Sequence, residues 1–121
     1  MKRNALFFFL ALLCCKSALA IPDQEPDVTA QVADILAAVA DATPATERFT
    51  ERGASYLAVP GLPATLNSCP RPIALELLSR NVFGEDRLYV YRTKCGRQWL
   101  RIAIDFNKAA RVNRLELAPE R

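Results

Sequence analysis

The sequence predicts an α+β fold, with one or two N-terminal helices packed on a four-stranded antiparallel meander. Three observations predict it. Apolar residues recur at helical spacing in the first half of the chain, and they alternate with a period of two after residue 72. The third is length: 121 residues, 51% of them hydrophobic, suffice for one small domain and leave no room for a second.

The start of the chain has the pattern of a signal peptide. Residues 2–3 are basic, residues 6–13 are apolar, and residues 18–20 have the small-x-small form of a cleavage site. We expect cleavage between Ala20 and Ile21 and a periplasmic or secreted protein. No apolar run reaches the roughly 18 residues that a membrane-spanning helix needs, so we expect no stable membrane span.

The predicted organisation is a signal peptide over 1–20, a flexible leader over 21–26 and a single α+β domain over 27–121. Without the signal peptide the chain has 13 basic and 13 acidic residues, so its net charge is zero. A nucleic-acid binder normally has a basic domain, and we expect no nucleic-acid partner. The acidic residues concentrate in 21–66 and the basic ones in 67–121, so the two halves should attract each other weakly and the second should present a basic face.

The cysteines support export. Cys14 and Cys15 leave with the signal peptide, and Cys69 and Cys95 remain as an even pair in an oxidising compartment, for which we expect a disulfide. Two free thiols or a metal pair are the alternatives. Two cysteines in a chain without histidine make a poor metal site, so we expect no metal and no cofactor. A lipoprotein acylated on Cys14 is the alternative to cleavage, although a lipobox requires a small residue where Leu13 stands.

The helical half divides into two predicted helices and a turn. The first helix begins at Asp27 as the N-cap, and the second opens at Thr43 with a proline in the next position and is loosened by Gly53. Residues 60–63 should form a turn. The stripe that packs the first helix on the core is Val28, Val32, Ile35, Leu36 and Val39.

Alternating residues predict the strands, with loops at 81–86, 95–98 and 107–110. A two-residue turn after Cys95 places Tyr91 opposite Ile102 and Tyr89 opposite Ile104. The first hairpin pairs Cys69 with Cys95, Ile73 with Tyr91 and Leu75 with Tyr89. The third hairpin pairs Phe106 with Arg111, Ile102 with Leu115 and Leu100 with Leu117. All three hairpins then place one apolar set on a single face, which the N-terminal helix should cover.

This sheet half resembles that of small exported bacterial nuclear transport factor 2-like (cystatin-like) domains. The resemblance rests on residues 72–80, 84–92, 100–106 and 112–117, and with the loops between them it covers about 50 of the 101 mature residues. It implies a cone of helices and sheet and an accessory role without a catalytic set. The chain departs from that group in its shorter helical half and in the turn at 107–110, which lacks glycine, and these departures argue against a deep pocket.

An enzyme of that kind would need a pocket carboxylate beside a tyrosine. Tyr89 and Tyr91 point into the predicted apolar face, and they are the candidate pocket residues. Asp105 falls on the opposite face, so no aspartate–tyrosine pair converges. The absence of histidine excludes Ser-His and Cys-His catalysis. We therefore expect no enzymatic activity, and we expect packing tyrosines with bonded hydroxyls.

The outward face carries the candidate partner-binding residues. Arg92 stands opposite Arg101, Lys94 stands opposite Trp99, and Glu116 lies opposite Arg101 on its other side. One interpretation is a solvated face on which Glu116 and Glu76 offset the arginines. The other is a basic patch around Trp99 that binds an acidic partner or a second copy of the chain, since Trp and Arg are enriched in interfaces.

The expected function is a secreted or periplasmic non-catalytic binding or accessory module, with a protein partner or homodimer through the outer sheet face. One alternative is a secreted inhibitor or immunity-type protein acting on an exported enzyme through loop 58–72. A small cone-pocket enzyme is the other, and it requires a polar pair beside Tyr89 or Tyr91.

Overall fold

A computed structural model describes residues 20–120, and the predicted signal peptide up to residue 19, with the lipobox alternative at Cys14, lies outside them. The described chain has N-terminal helices packed on a four-stranded antiparallel meander, so the predicted fold class is confirmed. In this part of the chain no helix is long and apolar enough to cross a membrane.

Helix α1 spans Pro26–Ala40. The predicted N-cap was wrong by two residues, because Glu25 is the N-cap and Asp27 lies in the first turn. Pro26 occupies the first helical position, where a missing N–H costs nothing. The predicted stripe is confirmed: Val32, Ile35, Leu36 and Val39 are buried, and Val28 packs against them partly buried.

The second predicted helix is wrong as a single element. Thr50 breaks it, because its backbone N–H donates to Val112 O at 2.9 Å and Phe49 forms an isolated parallel bridge with Val112. Thr50 then caps the next helix by accepting from Gly53 N at 2.9 Å. A Cβ on Gly53 would stand 1.9 Å from Val112 O, so only glycine permits this approach to the sheet. The elements are a 3₁₀ turn at Thr46–Arg48, α2 at Glu51–Ala54 and a second 3₁₀ turn at Ser55–Ala58.

The predicted turn at 60–63 runs directly into helix α3, Leu62–Asn67. Gly61 precedes the helix with φ of 78°, a conformation that glycine adopts without strain. Only the first half of the predicted turn is therefore a turn.

The sheet contains β1 Glu76–Phe83, β2 Asp86–Cys95, β3 Gln98–Phe106 and β4 Val112–Pro119, in that spatial order. The central hairpin is confirmed in full, since Tyr91 pairs with Ile102 and Tyr89 pairs with Ile104 across a two-residue turn. Gly96 in that turn has φ of 68°. The central hairpin therefore sets which side chains face the helices.

The first predicted hairpin was wrong in register. Tyr91 lies opposite Leu77 and not Ile73, and Tyr89 lies opposite Arg80 and not Leu75. The two strands meet at a two-residue turn, where Phe83 pairs with Asp86. From there the pairing extends back to Glu76, which is the first residue of β1. The register changes again between the Leu77–Tyr91 and Ser79–Val90 pairs, where β1 contains one more residue than β2.

The third hairpin was wrong by two residues. Ile102 lies opposite Leu117, and Leu100 lies opposite Pro119. The loop closes at Asn107, whose N–H donates to Arg111 O at 2.9 Å, and an irregularity follows between Asp105 and Phe106. A shift of two residues leaves Leu115 and Leu117 on their predicted face, whereas the irregularity turns Val112, predicted on the outer face, into the core opposite Phe106.

One core joins the inner sheet face to α1 and α3. Tyr91, Ile102, Ile104, Leu36 and Leu66 are fully buried in it. The disulfide between Cys69 and Cys95 is confirmed. The prediction that it joins two paired strands was wrong, because Cys69 lies between α3 and β1 and belongs to neither.

Candidate functional site

The outer face of the central hairpin carries the predicted cluster around Trp99. Period-two alternation turns Arg92 and Lys94 of β2 away from the core, and it turns Trp99 and Arg101 of β3 to the same side. Arg92 lies opposite Arg101 and Lys94 lies opposite Trp99, as predicted. We call these four residues the Trp99 patch.

Trp99 is half-buried because neighbouring cations cover part of its ring. The Arg92 guanidinium carbon lies 4.3 Å from the ring centroid, and Lys94 Nζ lies 6.0 Å from it. Both distances allow a cation–π attraction, which is stronger for the closer arginine. The ring is therefore held in one orientation and leaves part of its surface accessible.

Two carboxylates neutralise the arginines of the patch. Glu120 accepts from Arg101 Nη2 at 2.7 Å and lies 3.6 Å from Arg92 Nη1, while Glu76 accepts from Arg92 Nε at 3.0 Å. The Glu120 carboxylate is only 15% exposed, and hydrogen bonding from Arg101 lowers its pKa. The repulsion expected between Arg92 and Arg101 is thus offset by a network of alternating charges.

The assignment of Glu116 to this patch was wrong. Ala118 lies opposite Arg101, whereas Glu116 lies opposite Ala103 and contacts Arg114 within its own strand at 3.8 Å. The two-residue shift of the third hairpin caused the error. Sequence analysis missed Glu120 for the same reason, because the shift brings its N–H to Trp99 O at 2.8 Å.

Two cations near the hairpin tip have no carboxylate within 4.0 Å among residues 20–120, namely Lys94 and Arg97. A cleft of about 130 Å³ opens beside them between Trp99 and the segment before β1. Pro70 and Pro72 form part of its wall. The patch therefore combines an aromatic face, a proline-lined cleft and unpaired positive charge.

The two candidate pocket tyrosines lie on the other face and are buried. Tyr89 Oη donates to Glu25 Oε1 at 2.8 Å, and Tyr91 Oη lies 3.0 Å from Thr29 Oγ1. Arg80 Nε donates to the same Glu25 oxygen at 2.6 Å. The hydroxyls are bonded, as expected. Glu25 was missed because it comes from the leader, about 60 residues away in sequence.

Burial raises the pKa of Tyr91 to about 12 and also raises the pKa of Tyr89. Both phenols therefore remain protonated near neutral pH, where a general base would need a pKa close to 7. Asp105 lies on the outer face, away from the tyrosines, as predicted, and burial raises the pKa of its carboxyl. The arrangement around Tyr89 can hold the leader on the sheet.

The leader itself makes backbone contact with the sheet. Ile21 N donates to Leu77 O at 2.8 Å, and Asp23 Oδ1 accepts from Glu25 N at 2.9 Å. A recess of about 370 Å³ lies between this segment and β1, lined by Glu25, Leu77 and Arg80 among others. The tyrosine rings do not line it.

Within the described chain no three His, Cys, Asp or Glu side chains are grouped so that they could hold a metal ion. No protein-family model, no curated protein and no solved structure matches this chain. Its function has to be argued from its own residues.

Proposed function

We propose that this chain is an exported, non-catalytic binding module that takes an acidic protein partner on the Trp99 patch. The proposal includes membership of the small exported domains that resemble nuclear transport factor 2-like proteins, in which accessory roles are common. The observation that carries it is the ring of Trp99, held under Arg92 beside a cleft on a sheet face that no described helix covers.

Preorganisation supports a binding role. A partner that contacts Trp99 does not have to order the ring, because Arg92 is already fixed by Glu76 and Glu120. Ordering a mobile side chain at an interface costs about 0.5–1.5 kcal/mol, so a fixed one favours binding. Buried Trp and Arg anchors commonly dominate interface energies.

The charges favour an acidic partner. The carboxylates neutralise Arg92 and Arg101, but Lys94 and Arg97 retain their charge at the hairpin tip. Charges at the rim of an interface mainly raise the association rate and select the partner. Because both residues are positively charged, we expect the partner surface that meets them to be negatively charged.

The inhibitor alternative has less support. Of the segment 58–72, Leu62, Leu66 and Cys69 are buried, so it is not a free loop that could enter a target. Its exposed residues are 58–61 and 70–72, together with Ser68 and side chains on the outer side of α3, which is held in place by the buried residues. The bonded tyrosine hydroxyls likewise offer little to a cone-pocket enzyme.

A site-specific photo-crosslinker in the exported protein tests the proposal. Placed at Arg97, it should yield a discrete adduct, and placed at the exposed Lys108 it should not. Lys94→Glu and Trp99→Ala should each reduce the Arg97 adduct at least about tenfold, since hot-spot truncation costs 2 kcal/mol or more. Adducts from Val59 and none from Arg97 would favour the inhibitor alternative.

A further inference from the structure

Strand β4 is an edge of the sheet, and half of its backbone groups point away from β3. Glu120 N donates to Trp99 O, and antiparallel hydrogen-bonded pairs recur every second residue, so residues 114, 116 and 118 face β3. The N–H and C=O groups of Leu115 and Leu117 therefore point outward. Among residues 20–120, these two residues make no backbone hydrogen bond beyond the sheet.

The other end of the same edge is already used. Thr50 N donates to Val112 O, and Phe49 bridges Val112 in parallel orientation. This contact covers the edge at Val112 and Asn113, whose side-chain oxygen accepts from Thr50 Oγ1 at 2.8 Å, and leaves residues 114–117 available. Unpaired edge strands are templates for pairing with another chain.

An apolar groove of about 520 Å³ runs along the inner side of this open edge. Leu115 and Leu117 form one wall, and Tyr56, Val59 and Leu62 are among the residues that form the other. Val59 is 49% exposed, one of the few large apolar side chains in the described chain that are exposed. A strand added at the edge would direct alternate side chains towards this groove.

We propose that the occupant is a second copy of this chain, paired β4 to β4 in antiparallel orientation about a two-fold axis at Leu115. The charges of the strand select this register. Centring at Leu115 places Arg114 of each copy directly opposite Glu116 of the other, on the outer face. The resulting dimer has a continuous eight-stranded sheet.

Neighbouring registers are unfavourable. An axis at residue 114 sets Arg114 against itself, and an axis at Glu116 sets Glu116 against itself, and directly opposed like charges destabilise a sheet. An axis at Leu117 sets Arg114 opposite Glu120, whose carboxylate already pairs with Arg101 and Arg92 of its own chain, and sets Leu115 opposite Pro119, which lacks an N–H donor. Only the axis at Leu115 pairs two opposite charges that are free of the Trp99 patch, and it bonds the outward groups of the two Leu115 residues to each other.

This pairing leaves the Trp99 patch free, since the patch lies on β2 and β3. Arg114 and Glu116 are both accessible in the single chain, with side chains 37% and 54% exposed, and their mutual contact is a loose 3.8 Å. Each can exchange that contact for one across the two-fold axis. The dimer and the Trp99 partner are therefore independent proposals.

Light scattering coupled to size exclusion tests the dimer on the oxidised mature chain, 21–121, over a dilution series. Wild type should be a dimer that dissociates on dilution. Arg114→Glu and Glu116→Arg each turn two attractive pairs into repulsive ones, and each should raise the dissociation constant by about tenfold or more. Mixed together, the two variants regain complementary charges and should form a heterodimer, which native mass spectrometry identifies.

Lys108→Glu and Glu85→Lys provide the matched control, because this exposed pair is also 3.8 Å apart but lies in hairpin loops outside the paired part of β4. Both should dimerise as wild type does. A wild type that is monomeric at every concentration overturns the proposal, as do variants that dimerise unchanged or a mixture that stays monomeric. Arg114→Glu places a second carboxylate opposite Asp105, which disfavours folding of that variant. If it does not fold, Glu116→Arg alone tests the dimer, because Glu116 is exposed.

Discussion

At the scale of single residues, the two tyrosines show how burial and bonding set a side chain's role. Tyr89 and Tyr91 lie on the inner sheet face, and their hydroxyls reach Glu25 and Thr29 at the start of the helical half. A buried hydroxyl without a partner costs about 1–3 kcal/mol, so these bonds keep the phenols compatible with the core. These hydrogen bonds therefore attach the start of the helical half to the inner sheet face.

Alkaline unfolding tests this role at Tyr91. Its pKa is about 12 in the folded chain and about 10 when unfolded, so the folded state binds the proton more tightly. The corresponding stability is fully present below pH 10 and is lost as pH rises towards 12. Tyr91→Phe should remove this part of the pH dependence, which approaches about 1.4 kcal/mol per pH unit.

Urea unfolding between pH 8 and pH 11.5 measures the effect. Wild type should lose stability more steeply than Tyr91→Phe above pH 10, even if the variant starts lower at pH 8 because the Thr29 contact is lost. Parallel pH curves for the two proteins would contradict the assignment.

At the scale of elements, the disulfide adds a covalent link to the core that joins the helical layer to the sheet. Cys69 follows α3 and Cys95 ends β2, at a sequence separation of 26, and both sulfur-bearing side chains are buried. The bond thus fixes the helical layer to the end of the central hairpin. It also holds residues 70–75, which lead into β1 beside the Trp99 cleft.

Removing this bond should be costly. The loop-closure entropy of a bridge of this span is roughly 3–4 kcal/mol, and losing a native disulfide from a small domain typically costs 2–5 kcal/mol. We expect the Cys69→Ser/Cys95→Ser protein to lose about that much free energy of unfolding in urea. A double variant that melts at the temperature of the oxidised wild type would show that the bridge does not stabilise the fold.

At the scale of the whole molecule, the acidic first half and the basic second half attract each other through defined ion pairs. Asp41 contacts Arg71 at 2.9 Å, and Glu25 contacts Arg80 at 2.6 Å. The leader adds a backbone bond from Ile21 N to Leu77 O. The predicted mature N-terminus therefore lies against β1, where its new ammonium group would keep this donor.

Export processing is predicted to leave Ile21 as the first residue. Intact-mass analysis of the protein recovered outside the cytoplasm should give the mass of 21–121 less two hydrogens for the disulfide. A mass that includes Met1, or an acyl group on Cys14, would contradict the prediction. Reduction should add the two hydrogens back, which tests the disulfide in the same sample.

The sequence alone determined the fold class, the apolar stripe of α1, the Cys69–Cys95 bond and the central hairpin. These features depend on local periodicity, on a two-residue glycine turn and on the count of cysteines. The pairing of Tyr91 with Ile102 follows as soon as the turn at Gly96 is placed. Such information lies within a few neighbouring residues, so a sequence displays it directly.

Only the tertiary structure decided the partners of these elements. Glu25 reaches Tyr89 at a sequence separation of 64, and Glu120 reaches Arg92 and Arg101 because the loop and the irregularity at Asp105/Phe106 together shift the third hairpin by two residues. One extra residue in a loop or at an irregular pair changes every later contact, while the side-chain alternation hardly records it. The sequence therefore indicated which face Trp99 occupies, and the folded sheet determined which charges surround it.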